Sequence, residues 1–277
     1  MVGILSGDQI GFIDPHERFF KIPIPNTEDM LQATSSFKFK LDGEDMTTKR
    51  DQFQPFRQTL FGMGQQRHFE GTVFRFPLRQ SEKHSAISKT VYTEEKILKL
   101  FDMFKNEAHQ FLLFLSKIEK IEIYVKENNR QEPKLIHSIK IAGDMEIIRN
   151  KRKSFRCAIE NAMKEGTWLP TPYHVTFPMK TVQLQNDITS EKRWLITHYY
   201  EGGESPYLKR IMERGESKML PRAGICMPLD ERSLEEPQGQ IFCFLPLPAE
   251  RPSATGFHFH VHGYFAVDQN RWDYVIL

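Results

Sequence analysis

The stretch TGFHFHVHGYFAV, residues 255–267, sets His258, His260 and His262 at alternate positions. Imidazole is a common zinc ligand and titrates near neutrality. On a β-strand, alternate residues share a face, which puts the three imidazoles on one side and Phe257, Phe259 and Val261 on the other. Neighbours at i and i+2 can converge on one ion. His258 and His262, however, are separated by roughly 13 Å of strand, so three-fold ligation needs a bulge. The expectation is therefore a strand with an apolar inner face and a solvated imidazole face, and no metal. A second candidate is RNKRKSFR, with Arg149, Lys151, Arg152, Lys153 and Arg156. Such a run suits phosphate contacts, but in a nearly neutral protein it reads first as the solvated face of a helix.

Other chemistry is sparse. GMG at 62–64 is too short to cradle a phosphate and lacks the following Lys-Ser/Thr. No G-x-S-x-G elbow occurs. Cys157 falls in a helical stripe and reads as core. Glu235 and Glu236 read as solvated loop charges. The residues alone show no catalytic constellation.

The 277 residues are 39% hydrophobic and 27% charged, with 22 Phe, enough to bury a real core. A net charge of +2 gives no general electrostatic case for nucleic acid or an anionic membrane. Cys157, Cys226 and Cys243 form no CxxC pair, which argues against a disulfide framework and for a reducing, cytoplasmic setting. The opening MVGILSGDQIGF does not read as a signal peptide. FLLFL at 111–115 is too short to span a bilayer.

The elements predicted to position these residues form an α+β protein with mostly antiparallel pairing. Residues 1–30, with Gly3, Gly7, Gly11, Pro15, Pro23 and Pro25, read as loop-rich. TTKRDQFQPFRQTLFG reads as a short helix. FEGTVFRFPLR reads as a strand with a basic outer face. Apolar residues at Ile97, Phe101, Phe104, Ala108, Phe111, Leu115 and Ile118 define a helical stripe, with Thr93 as its N-cap. KIEIYVKENNRQEPKLIHSIKI reads as a hairpin, and MEIIRNKRKSFRCAIENAMKEG as a helix ending at Gly166. Strands are expected at YHVTFPMKTVQLQ, KRWLITHYY, RAGICMPL, GQIFCFLPLP and GFHFHVHGYFAV. SPYLKRIMERGE reads as a short helix. The domain reading is 1–80, a linker at 81–91, and 92–277.

Several segments, in order, resemble the sacsin family: LSGDQIGFIDPHERFF, DQFQPFRQTLFG, FEGTVFRFPLR, FLLFLSKIEKIEIYV, and IFCFLPLPAERPSATGFHFHVHGYFAVDQNRW. The resemblance covers about residues 5–272 and implies a fold similar to the ninety-kilodalton heat-shock chaperones. Residues 1–80 would be the late part of an ATP-binding lobe, and 92–277 a middle-like lobe. The acidic/Asn helix, the Asp-x-Gly motif and the glycine-rich lid of that lobe have no counterpart here; the chain is expected to begin after them. Gly71 and Thr72 are the nucleotide-site positions that carry over, as a remnant beside an adenine-reading Asp that is not present. Arg271 is loosely comparable to a middle-lobe arginine that assists the ATP site. The resemblance thus implies a chaperone or co-chaperone module that binds protein clients or heat-shock chaperones, is not an enzyme, and needs no cofactor. ATP and magnesium would enter only if the missing half were supplied. The rival expectations are an ATPase completed by a missing segment or partner, and a metal- or nucleic-acid-binding module.

Overall fold

The computed structural model describes residues 2–18, 20–25, 31–40, 69–126, 132–164, 172–201, 206, 222–230, 239–247, 255–263, 266–267 and 274–275. The chain divides into two compact units, Met1–Phe101 with Arg130–Pro133, and Asp102–Asn129 with Lys134–Leu277. The predicted helix at 47–62, the one at 205–216 (Pro206 apart), the hairpin turn at 127–133 (Glu132 and Pro133 apart) and Gly166 lie outside the described residues.

In the first unit, the loop-rich expectation for residues 1–30 gives way to three strands: β1 (Val2–Gly7), β2 (Gln9–Ile13) and β3 (Phe20–Pro23). Gly7 has φ +60 and opens a two-residue turn between Ser6 and Gln9. A glycine in that position makes a tight hairpin rather than a loop. Gly3 and Gly11 sit within the paired strands, opposite Phe12 and Ile4. After β2 the Asp14 carboxylate accepts the N–H groups of His16 (3.2 Å) and Arg18 (2.7 Å), which holds the turn around Pro15. With β4 (Leu31–Thr34), β5 (Ser36–Lys40) and β6 (Phe69–Arg75), the unit forms an antiparallel sheet in the order β5-β2-β1-β6 and a separate β3-β4 pair. Leu5 and Ile10 face each other across the hairpin, fully buried.

Helix α1 (Glu94–Phe111) has residues in both units. Thr93 Oγ1 accepts the Lys96 N–H at 3.3 Å, as expected of its N-cap. The predicted stripe continues to Ile118, but the helix stops at Phe111 and Ile118 is exposed. Leu112, Leu113 and Phe114 are all buried. Three successive residues cannot share one helical face, so burying them requires the chain to leave the helix.

The predicted hairpin forms from β7 (Lys120–Val125) and β8 (Lys134–Ala142), and the next predicted helix is α2 (Met145–Lys164). Asp144 Oδ1 accepts the Ile147 N–H at 3.0 Å at the start of α2. Asp144→Ala should cost about 1 kcal/mol and lower the melting temperature by about 2–4 °C, read by calorimetry.

Strands β9 (Tyr173–Gln185) and β10 (Ile188–Tyr200) are joined at Asn186 and Asp187, with φ +50 and +63. Both residue types tolerate this left-handed geometry, and the two-residue turn fixes the register. β11 (Arg222–Pro228), β12 (Ile241–Cys243), β13 (Leu245–Pro246) and β14 (His260–Gly263) complete an eight-stranded sheet in the order β13-β12-β14-β11-β10-β9-β8-β7. Its pairs are antiparallel except β12 with β14. β15 (Ala266–Val267) pairs with β16 (Tyr274–Val275). The protein is thus a mixed α and β fold dominated by antiparallel sheet. Among the described residues no helix is long and apolar enough to cross a membrane.

One face of the large sheet carries the core. Val175, Phe177, Met179 and Thr181 on β9, and Trp194, Ile196, His198 and Tyr200 on β10, are buried at alternate positions. Against them pack Leu112, Leu113, Phe114, and Ile148, Phe155 and Ile159 of α2.

Candidate functional site

The register of the sheet explains where the histidines go. His198 stands opposite Gly224, and Gly224 opposite His262; Ile196 stands opposite Cys226, and Cys226 opposite His260. These residues therefore lie on the core face. His260 is 4% exposed and His262 0%, whereas Phe257 is 58% exposed. The expected orientation of HFHVH, imidazoles out and apolar residues in, is reversed. The strand also starts only at His260, so His258 lies before it.

Backbone amides make this burial tolerable. Gln240 N–H donates to His260 Nδ1 at 3.1 Å, and Phe244 N–H to His262 Nδ1 at 3.2 Å. An accepting Nδ1 leaves the proton on Nε2, so both rings are neutral. Phe242 O lies 3.2 Å from the same His262 Nδ1 and would be its partner in the other tautomer. Burial, with Lys192 adding to it, holds the His260 pKa down to about 4. Burial, then the Arg222 charge, does the same for His262, also to about 4, against the pull of the Phe242 carbonyl. Among the described residues no group of three His, Cys, Asp or Glu side chains could hold a metal ion.

Gly224 has no side chain, and Phe114 takes the space above it. A Cβ on Gly224 would stand 3.0 Å from the Phe114 ring and 3.3 Å from His198 Nδ1. Phe114 stacks on His262 (centroids 5.0 Å, 27°) and meets Phe242 edge-on at 5.0 Å.

Beside Phe114 opens a cavity of about 240 Å³. Helix α2 supplies Arg152, Phe155, Arg156, Ile159 and Glu160, which the helical repeat brings to one face. His198, Arg222 and Phe244 line it from the sheet side. Arg156 is paired with Glu160 at 3.7 Å. The Arg222 guanidinium lies 5.9 Å from the Phe155 ring centroid and 5.6 Å from that of Phe244.

Arg152 departs from the expected solvated face. Arg149, Lys151 and Lys153 are exposed, but Arg152 is 5% exposed. Its Nη2 reaches Leu112 O at 3.1 Å and Met179 Sδ at 3.4 Å, while its buried Nη1 has no hydrogen-bond partner. Burial lowers its pKa to about 10, opposed by the Glu119 charge. Glu119 is itself held by Arg149 through two bonds of 2.8 and 2.7 Å. His198, 6% exposed, has a buried Nδ1 without a partner, and burial, followed by Arg222, His262 and Arg152, drops its pKa to about 3.

The remaining predicted residues lie elsewhere. Gly71 (φ +142) and Thr72 are exposed on β6. Thr72 pairs with Ser6, their hydroxyls 2.8 Å apart, and Glu70 and Gly71 form a bulge before Phe69 meets Gly7. Cys157 is half-buried, and Cys226 is fully buried. Arg271, Glu235, Glu236 and the GMG segment lie outside the described residues. The cavity was legible in part. Ile148, Arg152, Phe155 and Ile159 follow steps of four, three and four, so Arg152 occupies the buried stripe of its helix.

A family model described as the Sacsin domain matches residues 1–138. Over 286 aligned residues the chain is 32% identical to Sacsin of Homo sapiens, covering 97% of this chain and 6% of the human protein. The chain belongs to the sacsin family. It spans about 6% of the length of the curated relative it matches. No solved structure matches it.

Proposed function

We propose that this chain is a chaperone module that captures apolar segments of unfolded client proteins and does not hydrolyse ATP itself. The observation that carries this reading is a run of exposed apolar side chains in the first unit. Phe74, Phe76, Leu78, Ile87 and Tyr92 are 45–68% exposed, with Phe74 and Phe76 stacked at 6.2 Å. The stacked Phe74–Phe76 pair is a contiguous exposed apolar patch, and such patches mark surfaces that bind apolar partners. Membership of the sacsin family supports the chaperone class.

We further read residues 1–80 as the late part of a chaperone-type ATP-binding lobe and residues 92–277 as a middle-type lobe, on the order of the family segments. Among the described residues, the positions that the resemblance carries over to a nucleotide site are Gly71 and Thr72, and the Thr72 hydroxyl is engaged with Ser6. Phosphoryl transfer needs a metal clamp and a positioned nucleophile, which these two residues do not supply. A cytoplasmic setting agrees with three cysteines outside any disulfide.

Light scattering from a heat-denatured client tests the reading. Near-stoichiometric chain should suppress the scattering equally with and without Mg-ATP. Replacing Phe74 and Phe76 by Ser should weaken suppression while leaving the melting temperature nearly unchanged, because both side chains are exposed. Unchanged scattering in the presence of the chain would sink the proposal.

A further inference from the structure

We propose that Ser190 is a nucleophile that takes the acyl group from small activated esters, with His109 as its base and Lys192 as the cation that steadies the developing charge. The register of β9 and β10 builds the site. Ser190 stands opposite Gln183, and Lys192 opposite Thr181. Alternation puts Ile188, Ser190 and Lys192 on the face that carries the buried Trp194 further along. Helix α1 is fastened to this corner. Gln183 Nε2 donates to Lys105 O at 2.8 Å, and the buried His109 ring reaches both Thr181 and Ser190.

His109 is oriented as a base must be. Its Nδ1 lies 2.9 Å from Thr181 Oγ1 and its Nε2 3.1 Å from Ser190 Oγ. Trp194 Nε1 donates to the same Thr181 oxygen at 2.8 Å, which fixes that hydroxyl. The Thr181 backbone favours a proton on the ring. The N–H is therefore assigned to Nδ1, and the Nε2 lone pair accepts the Ser190 hydroxyl. A nucleophile bonded to a base that a third group orients is the arrangement covalent catalysis uses. Burial, with Lys192 and His137 adding to it, lowers the His109 pKa to about 4 against the pull of the Thr181 backbone and Asp230, so the ring is neutral at pH 7.

Ser190 is exposed, three residues past the β9–β10 turn, and open to a substrate from solvent. Ile188, 72% exposed on the same face, gives a short acyl chain apolar surface. The step needs no cofactor. Ser190 Oγ forms a bond to the ester carbonyl carbon as its proton passes to His109 Nε2. Lys192 offsets the negative charge on the carbonyl oxygen. The carbonyl re-forms as the leaving alcohol departs with the proton from His109. Water then attacks the acyl-serine, its proton taken by His109 and returned to Ser190 Oγ, and the acid is released. No nucleotide takes part, so this activity is separate from client capture.

The probe is p-nitrophenyl acetate, added to the whole chain at pH 7, with nitrophenolate release followed by absorbance and the acetyl group located by mass spectrometry. The chain should release nitrophenolate faster than buffer, with acetyl found on Ser190. Ser190→Ala should melt within about 2–4 °C of the parent, since it removes one hydrogen bond at an exposed position, and should lose the Ser190-dependent release. His109→Gln should slow release about hundredfold, the loss of a general base; Ser190→Ala decides the matter if His109→Gln fails to fold. Equal release from the parent and Ser190→Ala, acetyl found on lysines alone, or an undiminished rate in a folded His109→Gln would each overturn the proposal.

Discussion

Acidification from pH 7 to pH 4 is expected to bring the second unit to its cooperative unfolding midpoint, with the loss beginning well before carboxylate protonation would account for it. The cause is His198, His260 and His262, buried neutral with folded-state pKa values of about 3, 4 and 4. In the unfolded chain each returns to about 6.5. Above 6.5 neither state is protonated, and the stabilisation is fully present. Below 6.5 the unfolded chain takes up protons that the folded one refuses, so stability falls as pH falls. The loss continues to about pH 4 for His260 and His262, and to about pH 3 for His198. Each histidine contributes a slope of about 1.4 kcal/mol per pH unit, so the three together approach roughly 4 kcal/mol per unit. Integrated from pH 6.5 to 4 the loss is about 9 kcal/mol, close to the middle of a typical total of about 5–15 kcal/mol, which places the acid midpoint near pH 4. Urea melts at several pH values between 7.5 and 4 measure the slope. His260→Gln should flatten it by about one histidine's share. A flat stability between pH 6.5 and 4.5 would mean that the imidazoles are not buried as described.

Phe114→Ala is expected to cost about 3–5 kcal/mol, because the buried ring fills the space over Gly224 against His262 and Phe242 and its loss leaves a cavity there. Gly224→Ala should cost about 1–3 kcal/mol on its own, since its new methyl meets the Phe114 ring at 3.0 Å. The two sites are one packing unit. In a Phe114→Leu background the Gly224→Ala cost should shrink by about 0.5–3 kcal/mol, read as the coupling term of a double-mutant cycle in urea. Simple additivity would show that Gly224 is small for some other reason.

Long periodic segments were legible because their pattern is local. The stripe of α1, the β7–β8 hairpin and the alternation of β9 follow from residue spacing alone. HFHVHG is a different case. Alternation says which residues share a face but not which face is inward, and imidazole fits either side once an amide satisfies its nitrogen. The decision rests on Gln240, Phe244 and the hole over Gly224, all distant in sequence or supplied by other strands. The early end of α1 was hidden in the same way, since Leu112, Leu113 and Phe114 continue a plausible helix until tertiary burial claims all three. In residues 2–13 glycine was read as loop punctuation, whereas Gly7 makes the hairpin turn and Gly3 and Gly11 lie inside strands. Charge outweighs phase in assigning Arg152 to the solvated face: its neighbours Lys151 and Lys153 are solvated, and it alone of the three lies on the buried stripe.

The measurement that most directly tests client capture without ATP hydrolysis is phosphate release from Mg-ATP by the purified chain, followed while a client unfolds in its presence. Release no faster than in buffer alone, with aggregation suppressed, is the expected result. Saturable turnover would contradict it and turn the reading to an ATPase completed by groups other than Gly71 and Thr72.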